Sequence, residues 1–297
     1  MATAVAAVEL VGIELPEQSS LWADAWRRLR RNRLALVASI YLAFLVVVAL
    51  VALVWTPYRM SAIGIAATYS GPSAAHLLGS DSLGRDILSR LMVGAQVSLI
   101  VGVGTQILVL AVGVPIGLLA GYYRGWIDSI VSFIINVFYG VPDLLVAMIM
   151  VFLLGPSLTN IIIAIVATRW MDMARLVRGQ TLSLREREFV EAGKGAGAKP
   201  FKMLFGHILP NALGPIIVQA TLGIPAAILF EAFLSFLGVG VQPPTPSWGS
   251  MASDGVLAIQ YAPHIVIVPS IALSITLMAF NFLGDGLRDA LDPRSRH

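Results

Sequence analysis

The chain lacks cysteine altogether across 297 residues, which excludes disulfides and thiolate metal sites. It is poor in charge: Asp, Glu, Lys and Arg make up 12% of it, against about 25% in soluble domains. The four histidines are scattered and no H-E-x-x-H string occurs. Neither Lys194 nor Lys199 sits in a Walker A string, with its glycine before and Ser or Thr after, so ATP hydrolysis by that route is excluded. Gly193, Gly195 and Ala198 fit a G-x-G-x-x-A pattern. Charged, helix-like sequence leads into it where a dinucleotide site needs a strand, and we discard it.

What the chain has in abundance is apolar length. Hydrophobic residues make up 57% and are spread from end to end, the composition of a protein that crosses a membrane several times. The net charge of +3 is no nucleic-acid signal, because the basic residues cluster at span ends. We predict an all-α polytopic bundle of six transmembrane helices: Leu34 to Trp55, a stretch within Leu91 to Tyr123, about Ser129 to Leu154, about Asn160 to Val177, about Asn211 to Leu237 and about His264 to Leu283. Residues 1–33 form an N-terminal tail, poorly ordered over 1–20, and residues 34–297 the transmembrane domain. The tail is no cleavable signal, because its basic cluster from Arg27 to Arg33 follows rather than precedes it and the next apolar run is too long.

Charge sets the orientation. Of the 20 Lys and Arg, sixteen fall on one side of a six-span topology: the N-terminal tail, Arg124, the stretch from Arg175 to Lys202 and the C-terminal end. The other side holds Arg59, Arg85 and Arg90, and Arg169 belongs to span 4. The positive-inside rule then places both termini in the cytoplasm. Residues 57–90 and 241–263 become extracytoplasmic loops, 178–209 a cytoplasmic loop and 284–297 a cytoplasmic tail.

Some polar residues fall where hydrocarbon is expected. Asp143 sits near the middle of span 3 beside Pro142, which should kink it. An acid at that depth faces a bundle interior or water, either as a contact in the transport pathway or as a polar tether at the kink. Arg169, Asp172 and Arg175 recur at i,i+3 steps and can satisfy one another, with gatekeeping as the functional alternative. Glu231 lies 21 residues past Pro210, near the outer face at ~1.5 Å per residue. Gly113, Gly117, Gly121 and Gly125 recur every four residues, a face for close helix approach. In the outer loop, Asp86 and Arg90 are spaced to pair. His76, Asp81 and Asp86 match no familiar metal spacing.

Between the apolar runs stands a charged island from Arg185 to Pro210, REREFVEAGKGAGAKPFKMLFGHILP. It is helix-competent in two pieces, broken at Lys199-Pro200, and unusually small-sided from Glu191 to Ala198. The placement of Glu191, Ala192, Gly193, Gly197, Ile208, Leu209 and Pro210 resembles the EAA loop of ABC importer permeases. Gly193 departs from that pattern, which has Ala there, at a cost of about 1 kcal/mol in helix propensity. Three further strings, HLLGSDSLGRDILSRL, FEAFLSFLGVGVQPPTPSWG and NFLGDGLRDALDPR, resemble the C-type permease subunit of dipeptide and oligopeptide importers, and the resemblance covers about residues 22–295.

That resemblance implies a type I ABC importer permease in a bacterial plasma membrane. It implies half of a translocation pathway, completed by a second, B-type permease. It also implies two ATPase subunits that carry the ATP and Mg, an extracytoplasmic substrate-binding protein, and no cofactor or covalent chemistry in this chain. The EAA-like loop would dock on an ATPase. The alternative is an ion-driven secondary carrier or a stand-alone channel, though no internal repeat of the carrier kind is visible. An intramembrane enzyme would need paired groups at one depth, and Asp143 is the only acid clearly mid-bilayer. Cargo among dipeptides, longer peptides, glutathione, nickel chelates and haem is left open.

Overall fold

The computed structural model describes residues 21–291. The expected disordered tail over 1–20 and the last residues of the cytoplasmic tail lie outside the described residues. Every element among the described residues is helical apart from one isolated bridge between Ser80 and Asp86. In chain order the helices are α1 (Leu21–Arg31), α2 (Arg33–Val51), α3 (Ile87–Tyr123), α4 (Gly125–Tyr139), α5 (Asp143–Leu154), α6 (Leu158–Arg185), α7 (Glu188–Gly195), α8 (Pro200–Met203), α9 (Leu209–Phe236), α10 (Trp248–Val256) and α11 (His264–Leu291). A π-turn over Leu204–Ile208 joins α8 to α9, giving one helix from Pro200 to Phe236.

Four helices among the described residues are long and apolar enough to cross a membrane: α2, α3, the α8–α9 rod and α11. The expected third span is not a single kinked helix. It is the pair α4 and α5, bent by 88° at the break between Tyr139 and Asp143, where Pro142 cannot donate to the ladder. Asp143 therefore stands at the first turn of a new helix rather than in the middle of one. The expected fourth span lies in α6, which is 28 residues long but carries Arg169, Asp172, Arg175 and Arg178. The stretch read as an N-terminal tail includes the basic helix α1.

The glycine repeat explains how α6 is held. A Cβ at Gly113 would lie 2.8 Å from the Trp170 carbonyl oxygen, one at Gly117 2.5 Å from that of Ala174, and one at Gly121 2.8 Å from that of Arg178. These three glycines let the α3 and α6 backbones touch. Gly125 takes no part: it has open space around it and a φ of +57° in the α3–α4 turn. Ile161, Ala164 and Ile165 of α6 continue the packing against Val97 and Val101 of α3, together with Phe230 and Leu234 of α9.

Candidate functional site

Three polar regions stand out. The first is the charged island. α7 ends in a tight cap: the Ala198 N–H donates to the Gly193 carbonyl at 3.0 Å and the Gly197 N–H to the Lys194 carbonyl at 2.9 Å. This is a Schellman motif, and Gly197 takes its left-handed position with φ +78°. Pro200 then opens α8 at its first turn. Glu191, Ala192 and Gly197 are exposed, Gly193 and Leu209 half-buried, Ile208 buried and Pro210 exposed. The Glu191 side chain has no hydrogen bond or ion pair among the described residues.

The island is nonetheless anchored. Val190 and Met203 are fully buried, and with Leu204 and Ile208 they join Val109 and Leu118 of α3 and Met173 and Val177 of α6 in one apolar cluster. Burying a Val or Met side chain contributes about 1.5–3 kcal/mol. Gly193 has its own reason: a Cβ there would come within 2.6 Å of the Met203 methyl. On the outer face of the island, Phe201 and Phe205 stack with ring centroids 4.6 Å apart, and Phe201 is 72% exposed. Sequence reasoning did not single out these aromatics, although KPFKMLF carries both on one helical face.

The second region lies at the α4–α5 elbow. Arg169 of α6 reaches Asp143 at 3.1 Å and Asp172 at 3.9 Å, and its guanidinium lies 5.0 Å from the Phe230 ring centre. The third member of the expected triad turns elsewhere. Arg175 contacts Asn136 at 3.4 Å and stacks on Tyr139 at 4.2 Å, while the Tyr139 hydroxyl donates to Asp172. The polar residues of α6 thus grip both arms of the elbow. Arg169 and Asp172 also line a cavity of about 100 Å³ with Thr105, Gln106 and Gln219. Thr105 and Gln106 were missed because a lone hydroxyl or amide in a long apolar helix gives no periodic signal.

The third region is formed by the 57–90 and 241–263 segments with the helix ends they touch. Glu231 of α9 is 1% exposed, and its Oε1 accepts from the Ser235 and Ser247 hydroxyls, both at 2.7 Å. Ser247 caps α10, so this carboxyl ties α9 to the loop that precedes α10. Trp248 is buried beside Gly94, and its indole N–H donates to the Leu91 carbonyl at 3.0 Å.

In the 57–90 segment the expected Asp86–Arg90 pair does not form. Asp86 is the N-cap of α3, accepting from the Ser89 N–H at 2.8 Å, and it contacts His76 Nδ1 at 2.9 Å. Capping had first claim on it, because the first-turn N–H groups have no other acceptor. Arg90 instead approaches Asp81 at 3.4 Å. No group of three or more His, Cys, Asp or Glu suited to a metal exists among the described residues.

Residues 113–297 match the family model for the binding-protein-dependent transport system inner membrane component, and residues 20–72 match the N-terminal TM domain of oligopeptide transport permease C. The chain belongs to the binding-protein-dependent inner-membrane permease family. It is similar to the dipeptide transport system permease protein DppC of Bacillus subtilis, 46% identical over 92% of this chain and 86% of that one. It is similar to the oligopeptide transport system permease protein OppC of the same organism, at 44% identity over 93% and 91%. The glutathione transport system permease protein GsiD of Pectobacterium atrosepticum is 40% identical over 92% and 91%.

Among solved structures, an inward-facing MetNI methionine ABC transporter covers 68% of this chain and 96% of its own, with a TM-score of 0.56 and 22% identity. That likeness shows the type I importer permease fold. The chain is thus a multi-pass inner-membrane permease subunit of an ABC importer rather than an enzyme.

Proposed function

We propose that this chain is one of the two permease halves of an ATP-driven importer for short peptides. In this reading α6 is the fourth of six spans, both termini and the charged island face the cytoplasm, and the 57–90 and 241–263 segments face outward. The observation that carries the peptide reading is the similarity at 46% and 44% identity to dipeptide and oligopeptide permeases over more than nine-tenths of the chain. A B-type permease completes the pathway. A binding protein delivers cargo from outside, and two ATPase subunits bind the ATP and Mg. No cofactor belongs to this chain.

The coupling assignment follows from the island. Glu191, Ala192, Gly193 and Gly197 present a short exposed helix end, and Ile208, Leu209 and Pro210 continue into the α9 rod. An ATPase that grips α7 moves Val190 and Met203, which are locked into the α3–α6–α9 core. A packed core passes on a displacement rather than absorbing it. The island is therefore a lever seated on three helices, and the Asp143–Arg169–Asp172 cluster at the elbow is its polar counterpart on the pathway side. Glu231 holds the outer loop rather than touching cargo.

Two measurements test this. Cysteine introduced at Ser73 should react with an impermeant thiol reagent from outside, and cysteine at Lys199 only after permeabilisation; the reverse pattern would overturn the orientation. The complete complex in liposomes should accumulate a radiolabelled dipeptide only with ATP and binding protein. Uptake by this chain alone, without ATP, would establish the carrier or channel alternative instead.

A further inference from the structure

An open cavity of about 290 Å³ is built by three elements: Arg90 near the start of α3, Ser235 with the 238–245 connection after α9, and Ser250, Ser253 and Asp254 of α10. Arg90 is 3% exposed, yet its Nη1 has no hydrogen-bond partner. The reason is visible in Asp81. Its Oδ1 accepts from the Leu83 and Arg85 N–H groups at 2.9 and 3.0 Å, and its Oδ2 from the Arg85 Nε at 2.6 Å. A carboxylate offers about four acceptor positions, so Asp81 is nearly saturated before Arg90 arrives at 3.4 Å. A buried guanidinium with unmet donors is costly. Asp254, across the same lining, has neither a hydrogen bond nor an ion pair through its side chain among the described residues.

A cation short of acceptors and an unpaired acid thus share one small, polar-walled space. We propose that this cavity is a binding subsite for a zwitterionic group, taking a carboxylate at Arg90 and an ammonium at Asp254, the pair of charges found at the two ends of a short peptide. A carboxylate against the part of Arg90 that lines the cavity supplies a charge-assisted contact that Asp81 does not. Ser250 and Ser253 offer hydroxyls that can accept from the ammonium or donate to the carboxylate. The cavity volume falls at the lower edge of the ~300–1,000 Å³ range for small-molecule sites, which restricts the occupant to one or two residues. This subsite deepens the peptide-importer reading and rests on it.

The test uses the purified complex and the absence of native cysteine in this chain. Ser253→Cys puts one thiol in the cavity wall. Its reaction with a methanethiosulfonate reagent should be slowed by alanyl-alanine, about threefold at a concentration twice the Kd, as mass action requires. N-acetyl-alanyl-alanine amide, which has neither charge, should give no protection. Asp254→Asn on the same background should weaken protection by alanyl-alanine, scored as a ratio to that variant's own unprotected labelling rate. Equal protection by the charged and blocked peptides, or none by either, overturns the subsite. Protection only by the added binding protein also overturns it, assigning the cavity to a protein side chain. ATP-driven dipeptide uptake by the same complex is scored separately: normal uptake without protection removes the subsite alone, and no dipeptide uptake by the wild type removes the peptide reading.

Discussion

Substitution at Gly197 separates two physical effects that the island combines. The residue holds φ at +78° and has nothing within 4 Å of where its Cβ would be. Inside this chain, then, a Cβ meets no neighbour, and the penalty for adding one comes from the backbone. A left-handed conformation costs an L-residue roughly 1–2 kcal/mol, and Asn tolerates it best. Gly197→Ala and Gly197→Trp should pay the same penalty, so both should lower the melting temperature of the isolated chain by the same few degrees and Gly197→Asn by less. Neither touches the buried anchors Val190 and Met203, so insertion and folding should survive in all three.

The second effect requires a partner. If an ATPase lies against this helix end, a tryptophan must displace it, while alanine and asparagine add almost no bulk. Docking that rests on a ~10 kcal/mol interface loses tenfold in affinity for each ~1.4 kcal/mol of misfit. The expected order for ATPase retention and ATP-driven uptake is therefore Gly, Asn, Ala, with Trp well below all three. The assay is affinity purification of the complex from membranes, followed by ATPase activity and uptake in liposomes. If Trp and Ala behave alike, strain explains everything and the close-approach argument fails. If Trp retains both ATPase and uptake, the coupling assignment fails with it.

Other expectations follow from single contacts. Glu231→Gln keeps an acceptor for the Ser235 and Ser247 hydroxyls and should leave thermal stability nearly unchanged, whereas Glu231→Ala strands two buried donors at ~1–3 kcal/mol each and should lower it by several degrees. Gly117→Leu should block assembly of α3 on α6, since even a Cβ would sit 2.5 Å from the Ala174 carbonyl; limited proteolysis of the inserted chain reads the loss. Asp254 is exposed as a residue, yet desolvation of its carboxyl raises its pKa above the ordinary aspartate value, with Arg90 and Arg85 opposing and Asp81 adding. The folded state thus holds this proton longer than the unfolded chain, so stability falls as pH rises from the ordinary aspartate pKa through the raised one. Asp254→Asn should accordingly raise the melting temperature at pH 7 and change it little at pH 3.

The fold class was legible because long hydrophobic runs report directly on a bilayer. The glycine face was legible at three positions of four: spacing shows where backbones can meet but not where a turn ends the helix, and Gly125 falls past that end. Partner choice among charges was not legible. Asp86 and Arg90 have ideal spacing on a helix, but Asp86 is spent on capping, and Arg90 turns to an acid nine residues upstream. Glu231 reads as a stray acid at the outer face until Ser247, 16 residues on, folds back over it. Pair rules along one helix see neither event.

The elbow shows how these levels meet. By composition α6 is a poor membrane helix, because Arg169, Asp172, Arg175 and Arg178 stand within three turns. Each has a partner from another element: Arg169 takes Asp143, Asp172 the Tyr139 hydroxyl, Arg175 Asn136 and the Tyr139 ring, and Arg178 takes Asp128 with its Nη2 at 2.8 Å. All of those partners lie on α4 or at the first turn of α5, the two arms of the 88° bend. A straight third span could not reach this set, because α4 and α5 would stack in one line while the four α6 residues occupy one short stretch. The break at Pro142 brings Asp143 back toward α6, where Arg169 meets it at 3.1 Å. The bend and the charged helix are thus one construction. Removing Arg169 would leave Asp143 without its ion pair at the elbow, whereas removing Asp143 would leave Arg169 with Asp172 at 3.9 Å.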